Sequence, residues 1–186
     1  MVLILPKRYI PLLIMLGFII ILIITPLIAA VFGVPIVAMN QAQISIASFD
    51  FYTLAHLLWG SGIFIGTFTI GFIAKNLSGN PQAPVNPPGF RKLVIYWIIT
   101  LAIAVIWEIL ENTLLIFTNM KVEADTAPNI ITDIITWGIG GLWSWYMTDL
   151  IFLSEKYIRV YYIYGLLNLV YGFLIFILFG FIATNF

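Results

Sequence analysis

The sequence predicts an all-α fold: a polytopic membrane bundle of about five transmembrane helices, forming one integral-membrane domain over residues 1–186. Three observations carry this. The chain is 62% hydrophobic and 9% charged, and its mean hydropathy of +1.10 lies far outside the soluble range. Apolar runs near residues 10–32, 51–74, 93–117, 130–153 and 160–184 each reach the roughly 20 residues that a bilayer core requires. The connections between them are too short to hold a soluble domain, so the bundle itself must do the work.

The first run follows Lys7 and Arg8. It is too long for a signal peptide and no small-x-small cleavage site follows it, so an uncleaved anchor helix is expected. The second run carries Gly62 and Gly66, a G-x-x-x-G spacing that predicts a close helix contact. The loop after it, rich in proline and starting at Lys75, has no apolar periodicity and is expected to be irregular. In the fourth and fifth runs, the clusters from Trp143 and from Tyr157 suggest interfacial belts and packing.

Basic residues fall unevenly among these connections. Lys7, Arg8, Lys75, Arg91, Lys92, Lys156 and Arg159 lie on one side and Lys121 alone on the other, which predicts a multi-pass protein of the cell membrane with a cytoplasmic N-terminus and an outer C-terminus. Without cysteine there is no disulfide or thiolate chemistry. Net charge is zero, and no basic patch suggests a nucleic-acid partner. Membrane lipids are the expected partners, with self-association or a larger membrane complex alongside them.

Within the apolar runs stand groups that a lipid-facing helix avoids: His56, Glu108, Glu111, Asp133 and Asp149. Asp149 falls near the cytoplasmic side, within reach of Lys156 or Arg159. The other four are expected at similar depth in the outer half. At about 1.5 Å per residue, Glu111 lies roughly 9 Å from the outer end of its helix and Glu108 one turn deeper. Glu108, Glu111 and Asn112 share the spacing i, i+3, i+4, one helix face. Asp125, Asn129, Asp133 and Trp137 form a second stripe, with Asp125 or Thr126 able to cap the helix that follows. Tyr52 and His56 are an i, i+4 pair.

Converging carboxylates repel unless a cation or shared protons hold them. Carboxylate oxygens with an imidazole suit Mg²⁺, Mn²⁺, Fe²⁺ or Zn²⁺. A divalent metal ion held by His56, Glu108, Glu111 and Asp133 is therefore expected, with Tyr52, Asn112, Asp125 and Asn129 as supporting polar groups. A protonated carboxylate pair is the alternative that needs no metal. Glu108 and Glu111 are the candidate catalytic residues of a metal-dependent hydrolase acting on a lipid or lipid-linked substrate. The non-enzymatic alternative is an accessory subunit or an ion- or proton-coupled transporter using the same carboxylates.

The segments FYTLAHLLWG, WEILEN and DTAPNIITD resemble the VanZ-like group of small integral-membrane proteins, over helices two to four. Tyr52, Thr53, His56, Gly60, Trp107, Glu108, Glu111, Asn112, Asp125, Asn129 and Asp133 carry the resemblance. It implies a helical membrane fold with a polar site. Trp59 stands where that group tends to carry a second histidine.

Overall fold

The computed structural model describes the backbone of residues 6–77, 89–154 and 158–185, and side chains within 6–71, 89–151 and 163–178. Among the described residues there are five α-helices: α1 (Ile10–Val31), α2 (Thr53–Leu77), α3 (Phe90–Leu110), α4 (Ala127–Ser154) and α5 (Ile158–Asn185). The only pairing between extended segments among the described residues is an isolated bridge between Val37 and Phe49. The proline-rich loop and the expected partners of Asp149, Lys156 and Arg159, lie outside the described side chains.

The helix ends follow from local chemistry. Pro11 sits in the first turn of α1, where its missing N–H costs nothing. That helix stops at Gly33, whose φ of 82° is open to glycine. Its N–H bonds Ala30 O while Val34 N–H reaches back to Ala29 O, so the last carbonyls are satisfied. Asp50 closes the start of α2: its Oδ1 accepts the N–H groups of Tyr52 at 2.8 Å and Thr53 at 3.0 Å, and Thr53 Oγ1 in turn accepts Asp50 N–H at 3.2 Å. Beyond Leu110, α3 widens into one π-helical segment, Glu111–Leu115, before closing at Asn119 with φ 57°.

Three helical stretches are long and apolar enough to cross a membrane among the described residues, Lys7–Val31, Thr53–Gly71 and Phe90–Leu115, and α5 adds the shorter apolar stretch Ile163–Leu178. The fourth predicted span, α4, is 28 residues long but less apolar. The reason is its position. It packs against α1, α2 and α3 and buries Thr132, Asp133, Thr136, Ser144 and Thr148 among them, so its polar groups meet protein rather than lipid. Of the Trp143 cluster, expected to serve as interfacial belt and packing, Trp145 is fully buried in the core beside Phe64, Leu93 and Leu142, while Trp143 is 41% exposed.

Where α2 meets α4, backbones touch. A Cβ on Gly60 would strike the Trp137 backbone, and one on Gly140 the carbonyl of Leu57. The expected contact at Gly62 is present, against Leu169 of α5, but Gly66 has nothing within 4 Å. The close-approach glycines are thus Gly60 and Gly140, one on each helix. Gly140→Ala is expected to destabilise the bundle by about 1–3 kcal/mol through overpacking. Gly66→Ala is expected to be neutral or stabilising by up to about 1 kcal/mol. Thermal melts of both variants in detergent check this contrast.

Candidate metal centre

The α2–α4 contact sets His56 beside Asp133. His56 is 1% exposed, and its Nδ1 lies 3.1 Å from Asp133 Oδ1. Neither imidazole nitrogen makes an aligned hydrogen bond, so the pair is a close contact that becomes an ion pair only when the imidazole is protonated. Thr53 Oγ1 donates to the same Asp133 oxygen at 3.2 Å and lies 3.4 Å from Asp50 Oδ1. The cap of α2 and the first turns of α4 therefore hold the histidine from behind.

From the facing helix come the glutamates. Glu108 is 4% exposed, and both of its carboxylate oxygens are buried without a hydrogen-bond partner. Glu111 is also buried, but it is anchored: Oε2 accepts Trp107 Nε1–H at 2.7 Å and Oε1 accepts Lys121 Nζ at 3.0 Å. His56, Glu108 and Glu111 each present a ligand atom within 4.8 Å of the other two. One imidazole and two carboxylates at that separation form a donor set for a hard or borderline divalent cation. Asp133, expected among the ligands, stands outside this convergence and touches His56 instead, the place of a group that orients a metal-binding imidazole.

The supporting residues do more specific work than the sequence suggests. Asn112 donates to Glu108 O at 2.9 Å and accepts Asp125 N–H at 2.6 Å, strapping the α3–α4 loop to α3. Asn129 donates to Ala47 O at 2.9 Å and Thr126 Oγ1 to Ile46 O at 2.9 Å, so both tie down the segment before α2. Asp125 takes the ammonium of Lys121. The expected cap of α4 by Asp125 or Thr126 is thus replaced by side chains engaged elsewhere. Tyr52 packs its ring on Phe176 at 5.2 Å.

Above the centre lies an open cavity of about 200 Å³ lined by Asp50, Tyr52, Glu111, Lys121, Asp125 and Phe176 among others. Glu111 belongs to both cavity and cluster. Below His56 the way is filled by rings: Trp59 meets Trp107 at 5.2 Å, Phe176 at 5.5 Å and Trp137 at 5.8 Å. Ser61, on the same helix as His56, bonds Ser144 at 2.5 Å, Tyr164 and Asn168 at 3.1 Å each, so it is not a nucleophile paired with that histidine.

Asp50, Thr53, Trp107 and Lys121 are site residues that the stripe argument missed. Asp-x-x-Thr ahead of an apolar helix is a capping signal that could have found Asp50 and Thr53, and Lys121 was visible as the lone basic residue of its side. Trp107 was singled out only by the resemblance of WEILEN, with no physical signal of its bond to Glu111. The chain matches no protein-family model, no curated protein and no solved structure.

Burial pushes the Asp50 carboxyl up and Asp133 pushes it further, while His56 and the backbone bonds from Tyr52 and Thr53 pull it back, leaving it at about 6 rather than 3.8. A folded value above the unfolded one means that folding favours the protonated form. This contribution is complete below about pH 3.8 and is lost as pH rises through about 6. Asparagine keeps the cap and removes the titration. Wild-type stability relative to Asp50→Asn is therefore expected to fall between about pH 4 and 6 in thermal melts, and parallel profiles would contradict this reading.

Proposed function

We propose that this chain is a multi-pass protein of the cell membrane that binds one divalent cation through His56, Glu108 and Glu111 and uses it to hydrolyse a lipid or lipid-linked substrate at the outer face. The observation that carries the reading is Glu108. Two buried carboxylate oxygens without a partner, a few ångströms from a histidine and a second carboxylate, are costly unless a cation or proton sits among them. Three protein ligands leave coordination positions open, as catalytic sites do and structural ones do not. The cavity above reaches the cluster at Glu111.

Such an ion polarises a phosphoryl or carbonyl oxygen and lowers the pKa of bound water. The chain supplies the rest. Asp133 contacts the imidazole, Trp107 and Lys121 fix Glu111, and Glu108, whose oxygens no hydrogen bond holds, is the carboxylate with an oxygen to spare for a proton. The aromatic floor keeps the centre open on one side only. That floor speaks against the transporter alternative, which needs polar groups continuing to the other face. The resemblance to the VanZ-like group fits the same reading, since it rests on the residues of this centre.

Detergent-purified wild type is expected to hold about one metal ion per chain by elemental analysis. Glu108→Gln and Glu111→Gln are expected to lose it, whereas Glu123→Gln, which lines the cavity but lies outside the cluster, is expected to keep it. Well-folded wild type that takes up no Mg²⁺, Mn²⁺, Fe²⁺ or Zn²⁺ would leave a protonated carboxylate pair in its place and remove the metal reading.

A further inference from the structure

Between α3 and α4, the loop spanning 118–126 holds a cation of its own. The amides of Met120 and Lys121 both bond Leu115 O, at 2.8 and 3.1 Å, so the backbone of Lys121 is pinned to the end of the helix that bears the glutamates. Its side chain, 13% exposed, reaches inward. The ammonium sits 3.0 Å from Glu111 Oε1 and bonds Asp125 Oδ2 as well. Asp125 is itself fixed by Asn112.

Glu111 therefore serves two masters. It is one of the three residues whose ligand atoms converge, and one of its oxygens carries an ammonium while the other carries the Trp107 indole. A divalent ion and an ammonium sharing one carboxylate repel each other strongly where water is scarce. Asp125 already holds the ammonium, so a small swing of the flexible four-carbon stem would free Glu111 without leaving the charge unpaired.

We propose that Lys121 is a built-in stand-in for the metal: its ammonium neutralises Glu111 while the centre is empty, and the arriving ion displaces it from Glu111, leaving it on Asp125 alone. The proposal rests on the metal reading above and adds to it a gate, since filling the centre and freeing Lys121 from Glu111 become one event. By reciprocity, whatever draws Lys121 away from Glu111 tightens the hold on metal.

The test is equilibrium Mn²⁺ binding to purified full-length protein, wild type beside Lys121→Met, Asp125→Asn and the double variant. Lys121→Met, which keeps the stem and drops the charge, is expected to bind about tenfold tighter, the scale at which groups bonded to a ligand move metal affinity. Asp125→Asn removes the second seat and is expected to bind more weakly, and the double variant to match Lys121→Met, because Asp125 matters only while there is an ammonium to receive. An Asp125→Asn loss that persists undiminished in the double variant would overturn the swing and leave a simple field effect. Should Lys121→Met fail to fold, labelling wild type with an amine-reactive reagent decides the matter: Mn²⁺ is expected to raise modification of Lys121 several-fold, and unchanged labelling of the metal-bound protein overturns the proposal. Binding by wild type that Lys121→Met leaves unchanged would sink the gate alone. No Mn²⁺ binding by any folded variant sinks both readings.

Discussion

A carboxylate cannot be left bare among helices that face lipid, and the placement of Glu108 is the constraint around which the rest of this bundle is arranged. Its neighbours fall into two groups. Glu111 adds a second acid and so increases the repulsion, while His56 supplies an imidazole. Neither would stay in place alone. The histidine is backed by Asp133, Thr53 and Asp50 in succession, and the second acid is backed by an indole and an ammonium. Asp50, Glu111, Lys121, Asp125 and Asp133 each have a polar partner, whereas both carboxylate oxygens of Glu108 are buried without one.

Holding these groups together takes an unusually close fit between α2 and α4. Backbone contact at Gly60 and Gly140 places the faces that carry His56 and Asp133 side by side. The same closeness forces α4 inside, where its hydroxyls bond their own helix or a neighbour: Thr136 to Thr132 O, Thr148 to Ser144 O, and Thr132 to the Ser48 carbonyl. The segment before α2 is then drawn over the top of α4 by Asn129, Thr126 and Thr132. Packing at mid-bundle and order in the covering loop are consequences of one helix crossing.

Much of this was legible in the sequence, for identifiable reasons. Apolar runs announce helices because lipid leaves no other partner for the backbone, and acids inside such runs stand out because they are expensive. Spacing then brought Glu108 and Glu111 to one face and depth brought His56 to meet them. What stayed hidden depends on three-dimensional partners. Asp133 has the right depth to be a ligand, but which side of the imidazole it faces is set by the helix crossing. Gly62 and Gly66 have the spacing of a packing motif, whereas the tight contact uses Gly60 and Gly140, single glycines far apart in the chain. Trp143 and Trp145 look alike in the sequence, and the structure half exposes one while burying the other.

The π-helical segment Glu111–Leu115 gives the centre a particular vulnerability. A π turn is an α-helix that has absorbed one additional residue. Winding the same residues beyond Glu111 as ordinary α-helix would leave Glu108 and His56 untouched while turning everything downstream by about 100°. Lys121 and Asp125 would then arrive on a different side of the helix axis from Glu111. The acids and the cation that neutralises them are thus kept in step by the winding of a single turn, and a change of winding there would separate the two without removing either.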